Sequence, residues 1–213
     1  MDTVFLRLRS IVFLAFLCAF TQVQANQDEA PNTLLIVGDS LSAAYGVQSD
    51  EAWVALLRAR LDAEGLENWR VVNASISGET TDGGLRRLPG LLDKNEPEVV
   101  VIELGGNDGL RGFPPGVIEK NLAKMIEQVR EAGAHPLLVG MQIPPNYGER
   151  YTRAFAGIFP KLAEQYDTGL VEFFLEGIYN QDGMMQSDGI HPTAEAQSLL
   201  LANIWPKLAP LLK

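Results

Sequence analysis

Short apolar runs along this chain predict a series of buried β-strands. They span residues 34–37, 71–73, 99–102, 137–139 and 170–173. The runs are nearly continuous in apolar residues rather than alternating with polar ones, which is typical of parallel strands covered on both faces. The first run ends at Gly38, where the sequence changes to small and polar residues.

Between these runs, apolar residues recur with the spacing of one helix face. The first stripe is Trp53, Leu56, Leu57 and Leu61, ended by Gly65, and the second is Ile118, Leu122, Met125, Ile126 and Val129, ended by Gly133. A third helical segment is predicted at about 148–166, interrupted at Pro160. The last helix is predicted from about Thr193; it carries Leu200, Ile204, Leu208 and Leu211 on one face and kinks at Pro206. Strand and helix alternate about five times, which predicts an α/β fold with an open parallel sheet between two layers of helices.

The first 25 residues predict a signal peptide rather than part of the fold. Arg7 and Arg9 precede an apolar stretch at 11–20, and Val23 and Ala25 supply a small-residue cleavage signal. A retained membrane anchor is the alternative, but ten apolar residues are short of the roughly 20 that a membrane-spanning helix needs. Cleavage after Ala25 would leave residues 26–213 as a single domain.

Composition excludes several classes of function. Cys18 is the only cysteine, so the mature chain would have no disulfide, no thiol chemistry and no cysteine metal site. The formal net charge of −10 repels phosphate backbones, which makes nucleic acid a poor partner. No repeat or low-complexity segment divides the chain, in agreement with one soluble domain.

Small and polar residues follow the predicted strands where a ligand would bind. The segments are 38–42 (Gly-Asp-Ser-Leu-Ser), 73–80 (Asn-Ala-Ser-Ile-Ser-Gly-Glu-Thr), 105–108 (Gly-Gly-Asn-Asp) and 187–192 (Ser-Asp-Gly-Ile-His-Pro). Because open parallel sheets bind ligands at the carboxyl ends of their strands, we expect all four segments to meet at one edge.

These segments contain the groups that acyl transfer requires. Ser40 needs a base to become a nucleophile, and His191 lies at the expected edge, three residues after Asp188, which can orient the imidazole. Asp188 and His191 could instead form only a turn and a helix cap. The other histidine, His135, directly precedes a strand and is expected at the opposite edge, in a structural role.

Three N–H donors in the same segments could stabilise an oxyanion. They are the backbone N–H of Ser40, the backbone N–H of Gly78, which no side chain shields, and the amide of Asn107. Taken singly, Gly78 and Asn107 could be ordinary turn residues. Asp39 is interpreted as an orienting or capping residue rather than a second catalytic acid.

Taken together and in this order, the four segments resemble those of the SGNH, or GDSL-type, hydrolase family. Residues 35–45, 73–80, 104–115 and 141–162 are similar to the bacterial group described as thioesterase I, lysophospholipase L1 or protease I. The resemblance implies a three-layer α/β/α fold with a five-stranded, flavodoxin-like parallel sheet. It also implies a triad of Ser40, Asp188 and His191, and an oxyanion hole of Ser40, Gly78 and Asn107.

The resemblance further implies a periplasmic enzyme that hydrolyses fatty acyl-CoA thioesters, aryl esters and lysophospholipids without metal or cofactor. A monomer without a stable membrane anchor is expected. The predicted substrate contacts are Leu104, Gly105, Gly106, Asp108, Ile143 and Tyr147, although Ile143 and Tyr147 could simply pack the wall of the site. Residues 105–115 resemble a mobile substrate-binding loop, and a static turn is the alternative.

Two other functions remain open at this point. A carbohydrate O-deacetylase would use the same four segments, and a non-catalytic periplasmic binding module could share the flavodoxin-like sheet. A metal-dependent hydrolase is disfavoured because the two histidines are far apart in the sequence and no cluster of ligands surrounds either.

Overall fold

Five parallel strands form the centre of the structure, a computed structural model that describes residues 31–213. The strands are β1 (Asn32–Gly38), β2 (Trp69–Asn73), β3 (Val99–Glu103), β4 (His135–Val139) and β5 (Gly169–Val171). All five predicted strand positions are confirmed. The predictions of a signal peptide at residues 1–25 and of a domain start at residue 26 lie outside the described residues.

The strand order decides where a ligand can bind. The order is β2-β1-β3-β4-β5, the flavodoxin-like arrangement. Gly38 at the end of β1 is in register with Glu103 at the end of β3. Because the chain leaves β1 first toward β2 and later returns to β3 on the other side, a crevice opens between the carboxyl ends of β1 and β3.

Helices cover both faces of the sheet, which confirms the three-layer α/β/α prediction. One layer contains α1 and α7, which contact each other, and the other contains α2, α4 and α6. The helices are α1 (Trp53–Ala63), α2 (Thr81–Asn95), α3 (Gly106–Leu110), α4 (Pro115–Glu131), α5 (Glu149–Ala156), α6 (Ile158–Gln165) and α7 (Gln197–Leu208), with 3₁₀ turns at Pro145–Tyr147 and Ala209–Leu212.

The helix α2 was not predicted by the hydrophobic pattern. Gly83, Gly84 and Pro89 lower its helix propensity. The helix forms nevertheless because the Thr80 side chain caps it, accepting the N–H of Gly83 at 3.3 Å. The absence of a side chain at Gly84 also admits Leu104, since a Cβ there would lie only 2.3 Å from the Leu104 Cδ1 atom.

Two details of the predicted helices differ in the structure. The segment at 148–166 forms two helices, α5 and α6, which are separated at Gly157 and not at Pro160 as expected. Pro160 is the third residue of α6. Proline is tolerated there because N–H groups of the first helical turn have no partner within the helix. The last helix begins at Gln197 rather than near Thr193, because Thr193 donates its N–H to the Met184 carbonyl instead.

The strands in the middle of the sheet form the core that positions the site. β3 is entirely buried, and β1 is buried from its second residue onward. β2, which was expected to be covered on both faces, is only half-buried because it lies at the sheet edge. The candidate site, which is built from the carboxyl ends of β1 and β3, therefore rests on the buried centre of the sheet.

Candidate active site

Ser40 lies in a tight turn directly after β1. The Asp39 carbonyl accepts the N–H of Ala43 at 3.0 Å, and the Ser40 carbonyl accepts the N–H of Tyr45 at 3.2 Å. Gly38 is required at the start of this turn, because a Cβ there would lie 2.6 Å from Oε2 of Glu103. The turn, residues 38–47, is called the serine loop below, and it presents Ser40 at the carboxyl edge of the sheet.

A second loop, residues 184–193, brings His191 against Ser40 and is called the histidine loop. Nε2 of His191 lies 2.9 Å from Oγ of Ser40. Nδ1 of His191 lies 2.6 Å from Oδ2 of Asp188. With the Nδ1 proton donated to the carboxylate, Nε2 is the nitrogen that can accept the serine hydroxyl proton. The structure thus joins the three predicted triad residues in one series of hydrogen bonds.

The backbone of the histidine loop keeps Asp188 ionised. Its Oδ1 atom accepts the N–H of Ile190 at 2.9 Å and the N–H of His191 at 3.0 Å. Desolvation opposes the charge, but these bonds and the bond from the imidazole outweigh it and lower the pKa of Asp188 to about 2. Asp188 therefore makes both the turn contacts and the imidazole contact that the sequence suggested as alternatives.

The three predicted N–H donors come from three different strand ends. Within residues 31–213, the backbone N–H groups of Ser40 and Gly78 donate no hydrogen bond to another residue. Gly78 has a φ of +79°, which favours glycine. The segment that carries it is tied to the serine loop, because Ile76 donates its N–H to the Gly38 carbonyl at 3.0 Å and the Asn73 amide donates to the Ser42 carbonyl at 2.7 Å.

The side chain of Asp39 orients the third donor. Nδ2 of Asn107 donates to Oδ2 of Asp39 at 2.9 Å, and the N–H of Leu41 donates to Oδ1 at 3.0 Å. One N–H of the Asn107 amide is thus held by Asp39, which leaves the other available to a ligand. Burial raises the pKa of Asp39 to about 6, against the opposing hydrogen bonds from Leu41 and Asn107.

A buried carboxyl group lies directly beneath the serine loop and was not predicted from the sequence. Glu103, at the end of β3, is fully buried, and its Oε2 atom accepts the hydroxyl of Ser42 at 2.7 Å and the N–H of Asp39 at 3.1 Å. Burial, reinforced by the neighbouring charge of Asp39, raises the pKa of Glu103 well above its usual range. A charged residue type within an otherwise apolar strand was the signal that could have revealed it.

A cavity of about 510 Å³ opens beside the serine loop. Ser40, Asn107 and His191 all line it. Much of the rest of its wall is apolar and includes Met141, Ile143, Pro144, Phe173, Leu175 and Met185. A pocket of this kind, with a few convergent polar groups, can hold an apolar chain next to reactive side chains.

Two of the predicted substrate contacts line this cavity and four do not. Gly106 and Ile143 are in its wall. Leu104 and Asp108 are fully buried, so neither side chain reaches the cavity. Asp108 accepts hydrogen bonds from Thr81 at 2.6 Å and 2.9 Å. Gly105, with a φ of +116°, turns the chain into α3. These positions do not support the predicted contacts.

Tyr147, the fourth of these residues, holds the segment 105–115 in place. Its hydroxyl donates to the Leu110 carbonyl at 2.8 Å. The Tyr151 hydroxyl lies 2.7 Å from the Phe113 carbonyl and 3.3 Å from the Gly109 carbonyl. The segment contains α3 rather than an irregular loop; its mobility stays a prediction.

The second histidine of the chain, His135, lies apart from this site. His135 is the first residue of β4, at the opposite edge of the sheet, as expected, and its N–H donates to the Glu98 carbonyl at 2.8 Å. No three His, Cys, Asp or Glu side chains between residues 31 and 213 are grouped so that they could hold a metal ion. None of the helices in that range is long and apolar enough to span a membrane.

Similarity to known proteins agrees with the geometry of the site. Residues 36–199 match the GDSL-like lipase/acylhydrolase family. The chain belongs to this family. The match includes Ser40, Gly78, Asn107, Asp188 and His191, so every residue of the candidate site falls within the family's region of similarity.

Individual relatives narrow the type of enzyme. The chain is 56% identical to esterase TesA of Pseudomonas aeruginosa, over 89% of this chain and 94% of that protein. It is 47% identical to thioesterase 1/protease 1/lysophospholipase L1 of Escherichia coli, over 85% of this chain and 86% of that protein. A crystal structure of TesA, 57% identical, superimposes with a TM-score of 0.82 over 84% of this chain and 99% of that chain. The predictions of a serine hydrolase and of an esterase or thioesterase are confirmed.

Proposed function

We propose that the enzyme hydrolyses acyl esters and thioesters through a covalent acyl-enzyme on Ser40. His191 takes the hydroxyl proton as Oγ attacks the acyl carbonyl carbon, and then returns the proton to the leaving alcohol or thiol. A water molecule attacks the acyl-enzyme in the same way and releases a carboxylic acid. Asp188 holds the imidazole in the required tautomer and stabilises its positive charge in both steps.

The distances at the site are the observation that carries this proposal. The Ser40–His191 distance of 2.9 Å and the His191–Asp188 distance of 2.6 Å are within hydrogen-bonding range before any substrate is present. Ser40 and His191 both line a cavity whose wall is largely apolar. A serine that was only part of a turn would not need an oriented imidazole beside an apolar pocket.

The oxyanion of the tetrahedral intermediate is assigned to three donors: the N–H of Ser40, the N–H of Gly78 and the amide of Asn107. The two backbone groups have no partner among the described residues, and Asp39 uses only one of the Asn107 amide protons. Free, fixed donors stabilise a developing charge without reorganisation, which is the largest contribution in many acyl transfers.

The proposed substrates are fatty acyl-CoA thioesters, aryl esters and lysophospholipids. The cavity volume of about 510 Å³ and its apolar wall support an acyl chain longer than acetate. The name thioesterase 1/protease 1/lysophospholipase L1 of the Escherichia coli relative supports the same classes. In an acetyl-specific carbohydrate deacetylase, polar sugar groups would have to lie against this largely apolar wall. That mismatch favours the acyl hydrolase over the deacetylase.

We also propose that the enzyme is exported to the periplasm, is cleaved after Ala25 and works as a monomer. The positively charged start, short apolar stretch and cleavage signal of residues 1–25 support the export step. Mass spectrometry of the protein recovered from a periplasmic extract would give the first residue directly. Recovery of the uncleaved chain in the membrane fraction would contradict this part of the proposal.

Replacement of the nucleophile tests the proposed mechanism. A Ser40→Ala variant should fold normally and lose about 10³-fold or more in kcat on p-nitrophenyl octanoate, because no covalent intermediate can form. Ser198→Ala, which removes an exposed hydroxyl on α7, is the matched control and should match the unmodified enzyme. Near-normal hydrolysis by a folded Ser40→Ala protein would exclude Ser40 as the nucleophile.

Two further measurements separate the alternative functions. A series of p-nitrophenyl esters from acetate to dodecanoate should show activity that persists beyond octanoate, whereas activity restricted to acetate would indicate a deacetylase. A fluorophosphonate probe should add one phosphonyl group to Ser40 and none to Ser40→Ala. A protein inert to both the probe and every ester would be a binding module instead.

A further inference from the structure

The serine loop and the histidine loop meet at the reacting pair, yet few hydrogen bonds join them. Among the described residues, only one hydrogen bond other than the Ser40–His191 contact joins the two loops. Nε2 of Gln186 donates to the Tyr45 carbonyl at 3.0 Å, across 141 residues of sequence. Since the serine loop continues from β1 whereas the histidine loop lies outside the sheet, the distance between Ser40 and His191 depends on how the two loops are fixed to each other.

Gln186 is also fastened to the backbone of the histidine on which the reaction depends. Its own N–H donates to the His191 carbonyl at 2.7 Å, and its carbonyl accepts the N–H of Gly189 at 2.9 Å. Nε2 donates a second hydrogen bond, to the Pro192 carbonyl, at 2.9 Å. The two protons of the Gln186 side-chain amide therefore connect the Pro192 carbonyl, in the histidine loop, with the Tyr45 carbonyl, in the serine loop.

The serine loop has a shape that admits this amide. Gly46 has a φ of +73°, and a Cβ there would lie 2.4 Å from Oε1 of Gln186. The neighbouring Tyr45 places its ring against the imidazole of His191, with centroids 4.3 Å apart and an angle of 34° between the planes. Tyr45 thus receives the Gln186 hydrogen bond through its backbone and supports the imidazole through its side chain.

We propose that Gln186 is a positioning residue that sets the distance between His191 and Ser40. It does not line the substrate cavity, so it acts through His191 and not on the substrate. This inference rests on the proposed roles of Ser40 and His191 and adds a residue that neither the triad nor the oxyanion hole includes.

Two substitutions remove the amide donors without shortening the side chain. Gln186→Met removes all polar atoms, and Gln186→Glu replaces only the donating NH₂ group, so that at least one folded variant is expected. Each should lower kcat by about 10- to 100-fold, because small displacements of a catalytic base have effects of this size. KM should stay within about twofold, since the cavity wall is unchanged. Gln165→Met, on an exposed residue of α6, is the matched control.

Combination with His191→Ala distinguishes positioning from general stabilisation. If Gln186 acts through the imidazole, Gln186→Met should lower kcat when His191 is present. It should not lower the residual hydrolysis that remains in a His191→Ala background. Thermal unfolding of every variant is measured alongside. Unchanged kcat in both folded Gln186 variants, or the same loss with and without His191, would overturn the inference. High activity in His191→Ala itself would instead overturn the proposed mechanism.

Discussion

Asp39 is a buried acidic residue next to Ser40, and its replacement by asparagine should stabilise the protein. The residue is 3% exposed, and burial raises the pKa of its carboxyl group from the ordinary value of 3.8 to about 6. A raised pKa means that the folded state binds this proton more tightly than the unfolded state does. The stabilisation from that proton is complete below pH 3.8 and is lost as the pH rises through about 6.

The difference between the two pKa values sets the size of the effect. Between 3.8 and about 6 it corresponds to about 3 kcal/mol in the free energy of unfolding at pH 8, and to roughly half of that at pH 5. Asp39→Asn does not titrate, so its stability relative to the unmodified enzyme should increase by about 1 to 2 kcal/mol between pH 5 and pH 8. If the substitution also removes one of the hydrogen bonds that Asp39 accepts, the variant loses about 1 kcal/mol of stability at pH 5 and at pH 8 alike. The difference between the two pH values is then unchanged.

Urea unfolding at pH 5, 6, 7 and 8 measures this difference. Asp93→Asn, which removes an exposed carboxylate on α2, serves as the control and should show no such increase. Hydrolysis by Asp39→Asn should be slower, because the Asn107 amide loses its carboxylate acceptor. A stability difference that stays constant or shrinks toward pH 8 would refute the assignment of Asp39 as a destabilising buried carboxylate.

The other predictions concern the chemistry of the site. Asn107→Ala should lower kcat by about 10²- to 10³-fold with little change in KM, because it removes one oxyanion donor, whereas Asn68→Ala at the opposite edge should be neutral. A loss in KM alone would assign Asn107 to substrate binding. Because the pKa of Asp188 is about 2, its carboxylate stays charged from pH 5 to 8, so loss of that charge does not limit hydrolysis in this range.

The secondary structure illustrates what patterns alone can predict. Strands such as β3 were evident because their burial on both faces leaves an apolar run, here of Val and Ile, in the sequence. The helix α2 was missed because Gly83, Gly84 and Pro89 are poor helix formers, and the close approach of Leu104 explains why glycine is needed at position 84. Local propensity therefore failed where tertiary packing determined the residue type.

The supporting residues of the site were beyond the reach of sequence patterns. Asp108 lies in the motif Gly-Gly-Asn-Asp and was expected to contact substrate, but it is buried and holds Thr81. Gln186, by contrast, lies in no motif used for the prediction, and its significance comes from a carbonyl 141 residues away. Motif membership indicates that a residue belongs to the site; it does not indicate on which side of the site the residue lies.

The sequence by itself determined the α/β class, the candidate catalytic side chains and the edge of the sheet where they would meet. Those properties follow from periodicity and from the order of short motifs, both of which are local. Only the tertiary structure decided the distance between Ser40 and His191, the burial of Asp39 and Glu103, and the extent of the cavity wall. These depend on contacts between segments distant in the chain, and burial changes the energy of a charge in a way that no local pattern records.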